Sequence, residues 1–344
     1  MSALIKADGD TPVLRKGSGP AELYLKAGTW VAGVNMGAEK LVSIPTYAPG
    51  MDLVVWADTL AGTVTALPKS IGSQGTAVRI GGLHYACGSN GSVAMAGGDT
   101  NPQINPSSIW DLNFRPAYCD PSAMALVCGM FWADIYLLAQ RHDLYGTSAY
   151  NVTIACDTAR PPRSLRFGGA GSTAPAVLNW FTANEIMRDH KKRLMSADEA
   201  VVAFFGATEN VSRGNAPVTT GIATTNIGTG ARDEQLTSYD GLIQAVGTHW
   251  IWLSNLVPGF DNGNYDGATR AAMVTPGFYN NTESRGLSCL EGGVRGLRGV
   301  LGGGKFNYNQ VALSGSRALD VADSVHEGSL TISARGAADH YCVN

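Results

Sequence analysis

Gly302-Gly303-Gly304-Lys305-Phe306-Asn307-Tyr308-Asn309, then Ser314-Gly315-Ser316-Arg317-Ala318, then Ser333-Ala334-Arg335-Gly336-Ala337-Ala338-Asp339-His340 punctuate the C-terminal end of the chain. Two compact Gly/Ser/Arg signatures bracket Leu319 to Ile332, a stretch with neither catalytic logic nor metal-ligand spacing. The pattern implies a rigid frame that displays an interchangeable surface, and so recognition rather than catalysis. Inside the bracket Glu327, Ser329 and Thr331 alternate with Gly328, Leu330 and Ile332. That period of two predicts a half-buried strand with a polar outer face.

Composition sets the outer limits. A chain of 344 residues suits two domains, and 44% hydrophobic with 15% charged residues is ample for a buried core. The 43 glycines exceed ordinary usage of about 7% and fit turn-rich, helix-poor architecture. A net charge of -3 without a basic block argues against a nucleic-acid partner or an anionic membrane. The start, Met1-Ser2-Ala3-Leu4-Ile5-Lys6-Ala7-Asp8, lacks the pattern of a signal peptide. No run approaches the ~18 apolar residues of a membrane span, so neither secretion nor membrane insertion is expected. The six cysteines form no CxxC pair and read as free thiols.

Upstream of Trp110 the chain reads as short strands, each closed by Gly, Pro or Asp. Met51-Asp52-Leu53-Val54-Val55-Trp56, Gly62-Thr63-Val64-Thr65-Ala66-Leu67 and Gly75-Thr76-Ala77-Val78-Arg79-Ile80 are the clearest, and together they predict a β-sandwich. Beyond it, Phe131-Trp132-Ala133-Asp134-Ile135-Tyr136-Leu137-Leu138 predicts a buried strand. Thr182-Ala183-Asn184-Glu185 and Ser196-Ala197-Asp198-Glu199 each have the form of a capping box that opens a helix, the second helix ending at Gly206. Residues 207–241 predict a long loop. The whole is an α+β fold, divided at residues 1–112 and 113–344.

Candidate chemistry is sparse. No HExxH or HxH pattern exists among the six histidines, so no metal and no cofactor is expected. His190, Lys191, Lys192 and Arg193 fall where cations favour a helix C-terminus. Asp339-His340 lacks a nucleophile elbow and predicts a local ion pair or a hydrogen-bonded anchor. Asp261, Asn262, Asn264 and Asp266 resemble the front of a calcium loop, but Met273 stands where the closing bidentate Glu belongs. The glycines at 292, 293, 296, 299 and 302–304 lack the Gly-Lys-Ser/Thr of a P-loop and read as close-packed backbone.

Read in order, many segments carry a family likeness. These include Ile80-Gly81-Gly82-Leu83-His84-Tyr85, Trp110-Asp111, Phe114-Arg115-Pro116-Ala117, Phe131-Trp132-Ala133-Asp134, Tyr150-Asn151-Val152-Thr153-Ile154-Ala155, Lys192-Arg193-Leu194, Trp250-Ile251-Trp252 and the C-terminal brackets. Nearly the whole chain resembles the phage major tropism determinant family, the receptor-binding tail-fibre proteins diversified by a retroelement. The family's small N-terminal β-prism has no counterpart in this sequence, which begins at what resembles the following sandwich. The resemblance implies an N-terminal β-sandwich followed by a C-type-lectin-like domain of the formylglycine-generating-enzyme-like branch. It also implies a homotrimer at a fibre tip in the virion, attached to other tail-fibre components and binding a bacterial cell-surface receptor, protein or glycan.

It further implies a variable region at about 303–332, whose codons are rewritten at adenines. By position from residues 314–317 the variable sites are Leu313, Asp320, Ala322, Asp323, Glu327, Ser329 and Thr331, with Ile332 beside them. Upstream, in a stretch two residues longer than the family's, the candidates are Lys305, Asn307, Tyr308, Asn309 and Gln310. Asn codons altered at adenines reach most of these residues but not Lys305, Gln310 or Glu327. Two rival readings are a formylglycine-generating-type oxidase, for which Cys289 and Cys342 would have to be neighbours, and a non-phage variable surface-binding protein on the same fold. A calcium–sugar lectin is disfavoured because neither Glu-Pro-Asn nor Gln-Pro-Asp occurs.

Overall fold

The computed structural model describes residues 4–6, 8–72, 74–222, 232–258, 277–280, 287–290, 297–307, 314–321 and 324–342. Its largest element is a ten-stranded sheet whose strands come from Met51 onward to Cys342. In order across it lie Met124–Val127, Phe131–Asp134, Gly336–Cys342, Phe114–Pro116, Trp110–Asp111, Val78–Ala86, Met51–Asp58 and Thr63–Pro68. Gln103–Ile104 and Arg193–Leu194 pair on its flanks. The C-terminal strand therefore sits in mid-sheet, between Phe131–Asp134 and Phe114–Pro116.

Two small three-stranded sheets cover the N-terminal half. One contains Leu4–Ile5, Trp30–Val31 and Val34–Asn35; the other contains Leu14–Lys16, Leu23–Leu25 and Lys40–Leu41. Between them and the large sheet Leu14, Leu23, Leu25, Leu53, Val55, Ile80 and Ile104 are all but inaccessible to solvent. This is the sandwich the short strands foretell. Gly81 and Gly82 are required here, because a Cβ would lie 2.3 Å from the Trp110 carbonyl and 2.5 Å from the Leu53 carbonyl.

The C-terminal half adds a six-stranded sheet ordered Gly277–Asn280, Leu287–Leu290, Leu319–Asp320, Leu297–Gly302, Trp250–Pro258 and Ile332–Ser333. Helix Trp180–Asp189 packs beside it with Ala183, Ile186 and Met187 buried, the three- and four-residue spacing of one helical face. Its cap is Asn179, whose side chain accepts the Thr182 N–H. The expected box at Thr182 is thus displaced: Glu185 is held instead by Arg163 at 2.7 Å and 2.9 Å. The second box is present as expected, with Ser196 and Glu199 exchanging bonds at the start of Ala197–Ala203. Smaller elements are the strand pair Pro162–Arg163 and Gly171–Pro175, a four-residue helix, His142–Tyr145, and the 3-10 turns Pro106–Ser108, Leu165–Phe167 and, inside the long loop, Asp233–Leu236. Among the described residues no helix is long and apolar enough to cross a membrane.

Candidate functional site

The two C-terminal brackets are built into the core. Arg335 is fully buried, and its guanidinium donates to the carbonyls of Asp134 (2.7 Å), Ile135 (2.6 Å), Ile243 (2.7 Å) and Gln244 (3.4 Å). Burial draws its pKa down to about 9, against the opposing pull of Asp134, so it remains charged at neutral pH. Asp134 in turn accepts the Gly336 N–H at 3.1 Å and pairs with Lys192, which also donates to Thr147 at 2.8 Å. One planar side chain thereby joins three stretches of backbone that are remote in sequence.

The other bracket is held from outside its own segment. Glu209 accepts the Ser316 N–H at 3.0 Å and its hydroxyl at 2.6 Å. Asn210 donates its N–H to the Ser314 carbonyl at 2.8 Å, and Gly303 donates to the Ala318 carbonyl at 3.0 Å. Gly304 takes φ +90°, and a Cβ there would lie within 2.7 Å of Ser314. The frame is thus closed by Gly, Ser and Arg for separate reasons: close approach, carboxylate capture and carbonyl collection.

The expected variable positions fall unevenly around this frame. Asn307 and Glu327 are exposed, while Lys305 and Ser329 are half-buried. Asp320, Thr331 and Ile332 are buried in the protomer. Tyr308, Asn309, Gln310, Leu313, Ala322 and Asp323 lie outside the described residues, as does the calcium-like segment at 261–266. Lys305 and Ile332 both flank one segment, Lys305 bridging Thr248 and Ile332 pairing with Trp250. Asp320 is registered against Leu301 one strand further on.

The expected strand at 327–332 is not formed beyond Ile332–Ser333. The chain turns instead, with Glu327 N–H donating to Ser324 O and Ile332 N–H to Ser329 O. The expected faces are consequently broken: Thr331 is buried and meets Ser329 through their hydroxyls at 2.9 Å, whereas Leu330 is 45% exposed. Trp250 N–H donates to the Thr331 carbonyl, which drags that residue inward.

Sequence reasoning missed the supports beneath the surface. His249 is buried against Phe306, with ring centroids 5.9 Å apart, and hydrogen-bonds the Leu330 backbone. Glu209 was equally silent, and nothing in its neighbourhood marks it as the partner of a segment a hundred residues away. Burial, with His142 and Lys192 adding, lowers the pKa of His190 and so disfavours the cation expected there, and its Nε2 lies 3.0 Å from His142 Nδ1. Asp339 pairs with Arg193 and His340 Nδ1 accepts the Trp132 indole N–H at 2.9 Å, the structural anchor expected of that dipeptide. Among the described residues no cluster of His, Cys, Asp and Glu could hold a metal. Cys289 lies in the six-stranded sheet, registered with Asp320, and Cys342 lies opposite Phe114 in the ten-stranded one.

Comparison with known proteins decides the family. The tail fiber receptor-binding protein of Bordetella phage BPP-1 is 38% identical over 350 residues, spanning 98% of this chain and 85% of that protein. The chain belongs to the major tropism determinant family. Solved structures agree: the Major Tropism Determinant U1 variant matches with a TM-score of 0.81 at 37% identity, covering 99% of this chain and 86% of that one. The I1 variant matches with a TM-score of 0.82 at 38% identity over the same shares. No protein-family model matches. The α+β architecture, a sandwich followed by a C-type-lectin-like fold, is that of the major tropism determinants.

Proposed function

We propose that this chain is the receptor-binding, tropism-determining protein of a phage tail fibre, placed at the fibre tip in the virion, and that it recognises a bacterial cell-surface molecule through its variable C-terminal region. The supporting observation is the division of labour at the C-terminus. Arg335, Ser316 and Gly304 are locked by buried hydrogen bonds and close contact, whereas Asn307, Glu327 and Leu330 are turned to solvent. Substitutions at exposed positions on such a scaffold change the contacts offered without disturbing the core, and a preformed surface limits the ordering cost of binding. The reading takes 1–112 and 113–344 as the two units, takes 305, 307–310, 313, 320, 322, 323, 327, 329 and 331 as the sites rewritten by the retroelement, and is non-catalytic with no cofactor. It includes a homotrimer, in which weak single contacts multiply. The placement of Cys289 and Cys342 in separate sheets weighs against the oxidase reading.

The test is adsorption of purified protein to host cells. Replacing Asn307, Tyr308, Asp323 and Glu327 together by alanine is expected to weaken adsorption about tenfold or more with little change in thermal stability. Undiminished adsorption by a folded quadruple variant would overturn the assignment of the surface.

A further inference from the structure

A second concavity lies away from the variable positions. Arg166, Arg188, Lys191, Lys192 and Arg193 line one cavity of about 540 Å³, with Asp339 the one carboxylate among its described lining residues. Two of these cations serve the fold: Lys192 pairs with Asp134, and Arg193 forks onto Glu199 at 2.6 Å and 2.7 Å while reaching Asp339 at 3.0 Å. The other three are exposed and hold no ion pair with any described residue; Arg166 does no more than lean over the Phe167 ring at 5.9 Å.

The fold accounts for only part of this. Arg188 and Lys191 sit at the C-terminal end of helix Trp180–Asp189, where the helix dipole favours cations. Lys191 nevertheless occupies a left-handed φ of +59°, a conformation that costs a non-glycine residue and favours Gly or Asn. Arg166 comes from a separate 3-10 turn, Leu165–Phe167, and gains nothing from that dipole. Beyond that dipole and the Phe167 ring contact, gathering three cations that pair with no described carboxylate, in a chain of net charge -3, adds nothing evident to the stability of the folded protomer. Tyr118 forms a further wall and is 78% exposed.

We propose that this cavity binds an anionic saccharide, with Arg166, Arg188 and Lys191 holding its phosphate or carboxylate group and the Tyr118 ring stacking against a sugar face. Guanidinium groups present a fork that matches either oxyanion. The volume falls in the range of small-ligand sites and suits a few sugar rings; a duplex or a folded partner would not enter it. An acidic peptide adding as a strand would find only a short free edge, since Phe131–Asp134 pairs one flank of Gly336–Cys342, Arg193–Leu194 and Phe114–Pro116 pair the other on either side of Ala338 and Asp339, and the Asp339 carbonyl there accepts the Ala117 N–H. None of the described variable positions lines the cavity, so their contacts and this one can change independently.

Calorimetric titration of the full chain with trigalacturonate and with mannose 6-phosphate tests the proposal and separates the carboxylate from the phosphate source; maltotriose and inorganic phosphate serve as controls. Binding of at least one anionic probe is expected, weakening as salt screens the charges. Arg166→Gln, Arg188→Gln and Lys191→Gly together should weaken it about tenfold or more. Tyr118→Ala should weaken the sugar probe but leave inorganic phosphate as it was. Lys191→Gly alone relieves the left-handed strain and so keeps the test readable should the triple variant misfold. Undiminished binding by these variants, no binding of either anionic probe, equal binding of maltotriose, or inorganic phosphate binding as tightly as mannose 6-phosphate would each overturn the saccharide site. Tighter binding of an oligonucleotide or of polyglutamate would replace its ligand class.

Discussion

His249 lies buried beneath both arms of the candidate surface, against Phe306 on one and bonded to the Leu330 backbone on the other. Burial, with Arg213 adding, draws its pKa from 6.5 to about 4. Below 6.5 the unfolded chain takes up a proton that the folded chain refuses, so stability is complete above that pH and is lost as pH falls towards 4. The share belonging to this one group is roughly 3 kcal/mol. His142, His190 and His340, also lowered by burial, act in the same direction, whereas Asp111 and Asp240, raised by burial, oppose them. His249→Gln isolates the effect: urea denaturation between pH 4 and 6.5 should show a shallower pH dependence than the wild type, and equal slopes would refute the assignment. Arg335 makes a sharper case without titration. Arg335→Leu takes the donor from the buried carbonyls of Asp134 and Ile243, while Ile135 keeps the Ile243 N–H and Gln244 the Thr248 hydroxyl. At about 1–3 kcal/mol for each unsatisfied group, the loss is expected to be about 2 kcal/mol or more. Arg335→Lys should restore only part, because an ammonium cannot span the same fork; full recovery in denaturant would show that charge alone matters.

At the scale of elements, the frame depends on how segments begin and turn. Ser196 closes a reciprocal box with Glu199, and Ser196→Ala should cost about 1 kcal/mol while leaving cell adsorption unchanged. Gly304→Ala combines a left-handed backbone with a clash on Ser314, and is expected to destabilise by about 2 kcal/mol or more and to weaken adsorption as well. Indifference of either property would show that the bracket is not rigid. The sandwich strands were legible because alternation and Gly or Pro stops are local signals, as was the Ser196 box. The Thr182 box was misread because Asn179 outcompetes it as a cap and Arg163 takes its glutamate. The strand at 327–332 was misread because side-chain alternation cannot reveal that Trp250 pulls in the Thr331 backbone. The surface itself was legible only through family likeness; Glu209 and His249 enter it from distant sequence, where no local pattern marks them.

At the scale of the molecule, the two halves share a sheet and also a buried polar relay. Asp52 and His84, on strands of the sandwich, meet at 2.8 Å; His84 Nε2 lies 2.9 Å from the Tyr136 hydroxyl in the C-terminal half, and Asp52 also accepts the Ala123 N–H at 2.8 Å. The sandwich core and the core around Tyr136 are distinct apolar clusters, so cooperativity between them passes through polar links, namely this relay, Trp110–Asp111 and Phe114–Pro116 in the sheet, and bonds such as Ser107 to Asp240 and Gly98 to the Glu234 carbonyl. A strand ladder cannot be half melted without exposing backbone donors on both sides of the break. One calorimetric unfolding transition is therefore expected. Tyr136→Phe leaves a buried imidazole nitrogen unpaired at about 1–3 kcal/mol, and should move that whole transition downward. Two transitions, with only one displaced by Tyr136→Phe, would mean that the sandwich and the lectin-like half fold independently and that the relay merely aligns them.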